Sequence, residues 1–258
     1  MGVEGVLLDI DGVLVVSWEA LPGAADALAD VRRRGLPVRL VTNTTTRTRA
    51  DVVAALADAG LAVDPDEVLT APRATAEWLR AHHPGARVFL LNSGDVADEF
   101  DGVDLVDGDA EVVVVGGAGE SFTYERLNDA FAQVLDGADL VGMHRNLSWR
   151  TRRGMELDTG AFLLGLEHAA AVAATVVGKP SPELFGTAVD ALGVPAAAAV
   201  MVGDDVDNDV LAAQAVGITG VLVRTGKYRA EAVDAADGVP DHVIDSIADL
   251  PALLARLG

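Results

Sequence analysis

Short unbroken runs of apolar residues alternate along the chain with longer stretches in which apolar positions recur every three or four residues. Gly5–Ile10 is a run of the first kind and ends among acids. Gly23–Arg34 is of the second kind, with Ala24, Ala27, Leu28 and Val31 at helical spacing and Gly35 as a stop. Pro37–Val41 and Thr48–Ala59 repeat the pair, and Gly60 closes the second helix. The rhythm returns late in the chain. Thr175–Val177, Ala199–Val202 and Val221–Val223 read as strands, and Pro182–Leu192, Asp207–Val216 and Ile247–Leu257 as helices. Apolar strands that do not alternate with polar residues are covered on both faces, which predicts an α/β fold, a doubly wound parallel sheet with helices on either side.

The middle third has a different texture. Arg87–Leu91, Val112–Val115 and Leu140–Gly142 read as strands, with one helix, Thr123–Leu135, and connections rich in Gly and Asp. The simplest division is a core of residues 1–84 and 175–258 with an α/β insertion over residues 85–174.

Composition adds exclusions. Forty acids against 19 Lys and Arg give the 258 residues a formal charge of −21. Such a surface repels phosphate backbones and anionic lipid, so neither a nucleic acid nor a membrane is an expected partner. The absence of Cys removes disulfides, thiolate metal sites and Cys nucleophiles. The longest uncharged stretch, Val210–Val223, is 14 residues, short of the roughly 18 that mark a membrane span. The first residues lack the basic start of a signal peptide, so a cytoplasmic location is expected.

In a parallel sheet, ligands bind beyond the carboxyl ends of the strands. Four strands deliver polar groups there: Asp9-Ile10-Asp11-Gly12, Thr42-Asn43-Thr44, Gly178-Lys179-Pro180-Ser181, and Gly203-Asp204-Asp205 with Asp209 following. Carboxylates gathered on one edge repel one another unless a cation lies between them. Asp9, Asp11 and Asp204 offer hard oxygens that suit Mg²⁺, while the Thr42 hydroxyl and Lys179 ammonium suit a phosphoryl group. A carboxylate close to the metal can attack phosphorus, and a second acid two residues on can move the proton. Gly12 lets the backbone approach the phosphate closely. Only two lysines occur, Lys179 and Lys227, in a chain that otherwise uses Arg. A compact ammonium at Lys179 is therefore a chemical choice, because Arg is planar and does not replace it freely.

On Asp9-Ile10-Asp11-Gly12-Val13-Leu14, Val41-Thr42-Asn43, Gly178-Lys179-Pro180-Ser181 and Val202-Gly203-Asp204-Asp205 through Asp209, the chain resembles the haloacid dehalogenase (HAD) superfamily of phosphohydrolases. The insertion looks like the large α/β cap of the NagD-like type. Ala213-Gln214 and Val223-Arg224-Thr225-Gly226-Lys227-Tyr228 look like the branch that includes phospholysine phosphohistidine inorganic pyrophosphate phosphatase. The resemblance implies a Rossmann-like core and a Mg²⁺-dependent phosphatase working through an aspartyl phosphate. Asp9 would be nucleophile and Mg²⁺ ligand; Asp11 would be general acid and base, holding Mg²⁺ through its carbonyl oxygen. Thr42 would hold phosphoryl oxygens, with Asn43 shaping that loop. Lys179 would neutralise nucleophile and phosphate, and Asp204 would be the remaining direct Mg²⁺ ligand. Asp209 would orient metal waters or Lys179, and Asp205 is either structural or an outer partner of the metal. Asn208 stands where many large-cap relatives have Thr.

The expected substrate is a small phosphorylated metabolite: a monoester, a pyrophosphate or a phosphoamide. Hydrolysis is favoured over transfer to a second acceptor. A receiver-type phosphoacceptor domain shares the acids, the hydroxyl and a Lys-Pro, but is about half as long and carries adjacent early acids. Arg145 and Arg150, in the Arg-rich stretch His144–Arg153, are candidates to meet the substrate's leaving group or a second anion, against the alternative of a solvated loop. Large-cap relatives also make a homodimer through the cap an expectation.

Overall fold

The computed structural model describes residues 2–151 and 154–258, the side chains of 149–151 excepted. Two compact units emerge. The first comprises Met1–Thr42, Arg49–Leu69 and Lys179–Gly258, the second Asn43–Thr48 and Thr70–Gly178.

The first unit is built on a six-stranded sheet in the order His242–Ile244, Thr219–Val223, Ala199–Gly203, Gly5–Asp9, Val38–Thr42, Val68–Thr70. The ladders on either side of Gly5–Asp9 are parallel, as are those outward to His242–Ile244. Every residue of Gly5–Asp9 and of Ala199–Gly203 is buried, which is why neither strand alternates apolar with polar residues. Helix Ala24–Arg33 buries Ala24, Ala27, Leu28 and Val31, the same four positions its spacing marks. Asp26 in its first turn and Arg32 and Arg33 in its last complement the helix dipole. Helix Pro182–Leu192 starts on Ser181, whose side chain accepts from the Glu183 N–H, and stops at Gly193 in the left-handed conformation. Leu8, Leu40, Val200 and Val221 join Leu28, Leu56 and Leu253 in one core.

The second unit has its own five-stranded sheet, in the order Thr175–Val176, Asp139–Gly142, Val112–Val115, Arg87–Leu91, Asp104–Leu105, all parallel. Phe89, Val113, Leu140, Ala130, Leu163 and Leu166 form its core. The strand and helix patterns expected over residues 87–142 are present. Helices Ala71–His82 and Thr159–Ala170 and the hairpin Ser148–Thr151 with Gly154–Leu157 were not legible. Gly160 and Gly165 interrupt the pattern of the second of these helices.

One element changes sides. Thr175–Val176 pairs with Asp139–Gly142 and therefore closes the second sheet instead of opening the return to the first. Residues 70–84 and 175–178, assigned to the core on the sequence pattern, fall with the second unit. Lys179 is thus the first residue of the chain back in the first unit, and it rides on a loop, not on a core strand. No helix among the described residues is long and apolar enough to cross a membrane.

Leu40 is wholly buried in the first core. Leu40→Ala is expected to lower the unfolding free energy by ~2–5 kcal/mol through lost burial and the cavity left behind, measured by urea titration; a loss below 1 kcal/mol would show that the sheet collapses around the gap.

Candidate active site

The site grows from the register of the central strands. Asp9 ends its strand opposite Val41, which leaves Thr42 one residue further along the neighbouring strand. On the other side Leu8 pairs with Val202, so Asp204 follows just past the end of Ala199–Gly203. Asp9, Thr42, Lys179, Asp204 and Asp209 are all buried.

After Asp9 the chain turns tightly. The Leu14 and Val15 N–H groups donate to the Ile10 carbonyl, and the Gly12 N–H donates to the Val15 carbonyl at 2.7 Å. The turn runs into a two-rung hairpin, Val15–Val16 with Glu19–Ala20. Trp18 at its tip packs against the first core, so it serves packing. The carboxyl of Asp11 points away from the densest cluster of acids and is exposed, yet burial of its surroundings raises it above the ordinary carboxylate range against the opposing pull of Lys227 and Lys179.

At the centre Lys179 Nζ lies 2.6 Å from Asp9 Oδ1 and 2.7 Å from Asp209 Oδ1. Burial favours the neutral amine there, but the Asp209 and Asp9 carboxylates outweigh it and raise the Lys179 pKa above its usual value. Asp209 reaches this position on a wide helical turn, Val206–Leu211, whose start Asp205 caps by accepting from the Asp207 and Asn208 N–H groups. The Asn208 Nδ2 donates to the other Asp205 oxygen at 2.9 Å, which shows what an amide at this position does. Asp205 is therefore a structural acid: it fixes the turn that delivers Asp209. Asp209 Oδ2 accepts from the Asp205 N–H at 3.2 Å, so both oxygens of Asp209 have donors.

Asp204 is different. Its Oδ2 accepts from the Lys227 N–H at 2.7 Å, while its Oδ1 is buried with no hydrogen-bond partner. Burial, then the negative charges of Asp9 and Asp209, push Asp204 up to about 8. Asp209 is likewise pushed up to about 6, by burial and by Asp9 against the pull of Lys179. Oxygens of Asp9, Asp204 and Asp209 lie within 4.8 Å of one another. An orphaned carboxylate oxygen, three crowded carboxylates and an all-oxygen donor set fit a hard divalent cation. Asp9 and Asp204 are the better placed ligands, because Asp209 is already taken by Lys179 and the Asp205 amide. Gly12 closes the same corner: at φ +92°, a Cβ there would sit 1.9 Å from Asp204 Oδ2.

Lys227 adds a second ammonium. Burial acts to lower its pKa, but Asp9, Asp204 and Asp209 raise it overall. Its Nζ is 4.0 Å from Asp205 Oδ2, beside a cavity of about 130 Å³ lined in part by Asp204, Asp205, Lys227 and Tyr228. The rarity of lysine was the only sequence signal that pointed to it.

Asn43 belongs to the second unit, as does Arg145. The structure gives Arg145 a task other than the expected contact with a substrate anion. Its two terminal nitrogens grip Glu167 at 2.8 and 2.7 Å, and one also donates to the Ala174 carbonyl. Glu167 is buried and needs that bidentate cation. The Arg150 side chain and all of Arg152 and Arg153 lie outside the described residues.

Comparison with known proteins agrees with this geometry. A family model described as haloacid dehalogenase-like hydrolase matches residues 6–106, and a second, HAD-hydrolase-like, matches residues 176–250. Phospholysine phosphohistidine inorganic pyrophosphate phosphatase of Homo sapiens is 38% identical over 261 residues, which span 99% of this chain and 95% of the relative. Haloacid dehalogenase-like hydrolase domain-containing protein 2 of Homo sapiens is 38% identical over 88% of this chain and 86% of its own. Among solved structures, p-nitrophenyl phosphatase from Archaeoglobus fulgidus superposes with a TM-score of 0.92 at 30% identity, covering 98% of this chain and 100% of that one. NagD from E. coli K-12 gives 0.89 at 29% identity, covering 96% and 98%.

Lys179→Met is expected to leave Asp9 and Asp209 buried without a cation and to cost ~3–5 kcal/mol, read by urea titration in EDTA; an unchanged midpoint would mean that the pair is not held in solution. The raised Asp204 value also sets a sign. The folded chain keeps a proton there that the unfolded chain releases near pH 4. The resulting stabilisation is full below the ordinary carboxylate pKa and is lost as pH rises through about 8. In EDTA, Asp204→Asn should therefore flatten the fall in melting temperature between pH 4 and 8, as scanning calorimetry would show; parallel curves for variant and wild type would exclude the shift.

Proposed function

The chain belongs to the haloacid dehalogenase-like hydrolase family and is a phosphatase, and from that premise we propose that it is Mg²⁺-dependent and hydrolyses a small phosphorylated metabolite through an aspartyl phosphate on Asp9. The observation that carries this reading is Lys179 buried between Asp9 and Asp209, beside an Asp204 oxygen that has no partner. Asp9, the Asp11 carbonyl and Asp204 would hold the Mg²⁺, which when bound neutralises charge on the phosphoryl oxygens.

The side chains then divide the work. Asp9 attacks phosphorus, and the bond from phosphorus to the leaving group breaks. Lys179 holds Asp9 as a carboxylate until then, and its charge offsets that of the incoming phosphoryl group. Thr42 donates its hydroxyl to a phosphoryl oxygen, and Asn43 shapes the loop that follows. Asp11, raised by the burial around it, is suited to give its proton to the departing oxygen. In the second half Asp11 takes a proton from water, whose oxygen bonds to phosphorus while the bond to Asp9 breaks. Phosphate leaves and both carboxyl groups return to their starting states.

The names of the relatives support a substrate range of phosphate monoesters, pyrophosphate and phosphoamides. The charge of −21 favours a small metabolite over nucleic acid or a membrane surface, and a cytoplasmic setting fits a chain without Cys. A homodimer through the second unit is part of the same proposal, drawn from the large-cap relatives.

Asp9→Asn is expected to abolish phosphate release from p-nitrophenyl phosphate and pyrophosphate, as is EDTA added to the wild type, while circular dichroism stays unchanged. Retained turnover in the variant would refute Asp9 as nucleophile, and retained turnover in EDTA would refute the metal requirement.

A further inference from the structure

We propose that the turn Thr225-Gly226-Lys227 is a positioning element of the reaction: it pins one oxygen of Asp204 so that the other alone faces the cation. The inference rests on the reading of the site as Mg²⁺-dependent and goes beyond its four motifs.

A carboxylate offers two equivalent oxygens, and rotation about the last side-chain bond exchanges them. Asp204 has lost that freedom. Its Oδ2 accepts the Lys227 N–H at 2.7 Å, and its Oδ1 is buried with no partner. Two backbones close around the pinned oxygen. A Cβ on Gly226 would lie 2.0 Å from Oδ2 and 2.5 Å from the Gly12 Cα, and one on Gly12 would lie 1.9 Å from the same oxygen. Gly226 sits at φ +59°, in the left-handed region, which aims the next N–H at the carboxylate. The slot therefore has two walls, one from the turn after Asp9 and one from the turn at Thr225.

Thr225 fastens the walls together: its hydroxyl donates to the Gly12 carbonyl at 2.5 Å. The turn is also held from outside the site. The Arg224 N–H donates to the Ile244 carbonyl, its guanidinium pairs with Asp245 at 2.6 Å, and the Tyr228 N–H closes on the Thr225 carbonyl. Since these anchors do not involve Asp204, the turn orients Asp204 and is not organised by it. Outer partners of this kind set how well a ligand group is presented to its metal. The side chain of Lys227 is not needed for this; its backbone amide is.

The test uses the full chain and Mg²⁺ alone, titrated calorimetrically into EDTA-stripped protein. Thr225→Val removes the hydroxyl at nearly constant shape and should weaken Mg²⁺ binding by roughly 10-fold or more, within the range typical of outer partners. Thr225→Ala, which cannot clash, should do the same, and Thr225→Ser should restore binding close to that of the wild type. Circular dichroism of the stripped proteins confirms the fold, and Thr225→Ala decides the matter if the valine variant is misfolded. Wild-type affinity in a folded Val or Ala variant overturns the inference, as does a loss that Ser fails to rescue. A wild type that binds no Mg²⁺ overturns instead the Mg²⁺ reading of the site, and this inference with it.

Discussion

A buried ammonium holding two carboxylates apart is the constraint on which the rest of the first unit depends. Lys179 lies between Asp9 and Asp209 where water does not reach them. Without a cation these acids could not both remain charged in so little space. The strand order puts Asp9 at the middle of the sheet, and the capped turn at Asp205 brings Asp209 back over it. Each of those features would be a cost in a protein with no chemistry to perform there.

The two flanking acids are handled differently. Asp209 is fully paired, so its charge is spent on fixing Lys179. Asp204 is half paired and pushed up to about 8, which leaves it poised to exchange a proton for a metal. One site thus contains a settled charge pair and an unsettled carboxylate side by side. That contrast separates the groups that hold the site from the group that awaits a ligand.

Much of this was legible in the sequence, and the failures have physical causes. Gly5–Asp9 and Ala199–Gly203 read correctly because strands buried on both faces leave an unbroken apolar run. Asp9, Asp204 and Lys179 read correctly because acids at strand ends and a rare lysine are local signals. The strand Thr175–Val176 was misplaced because pattern reports that a segment is a strand, not which sheet it joins. Arg145 looked like an anion site because the buried Glu167 that claims it lies 22 residues away. The tasks of Thr225 and Gly226 left no trace, since they act through a hydroxyl and a backbone amide on groups more than 20 residues distant. Helix Thr159–Ala170 was hidden by its glycines, which lower helix propensity without preventing a packed helix.

The placement of Lys179 has a further consequence for how the chain is made. Asp9 leaves the ribosome 170 residues before the lysine that neutralises it, and the strand Ala199–Gly203 that covers its other flank comes later still. The N-terminal strand is central in its sheet, yet at first only Val38–Thr42 is available beside it. Its other edge, apolar and with unpaired backbone groups, stays open while the whole second unit is synthesised. Such long-range pairing folds slowly and exposes sticky surface in the meantime. The second unit, whose residues from Thr70 to Gly178 are nearly contiguous, is free to fold first. Synthesis thus completes the interior of the catalytic unit last, and a chain truncated before Lys179 would carry the acids without the means to bury them.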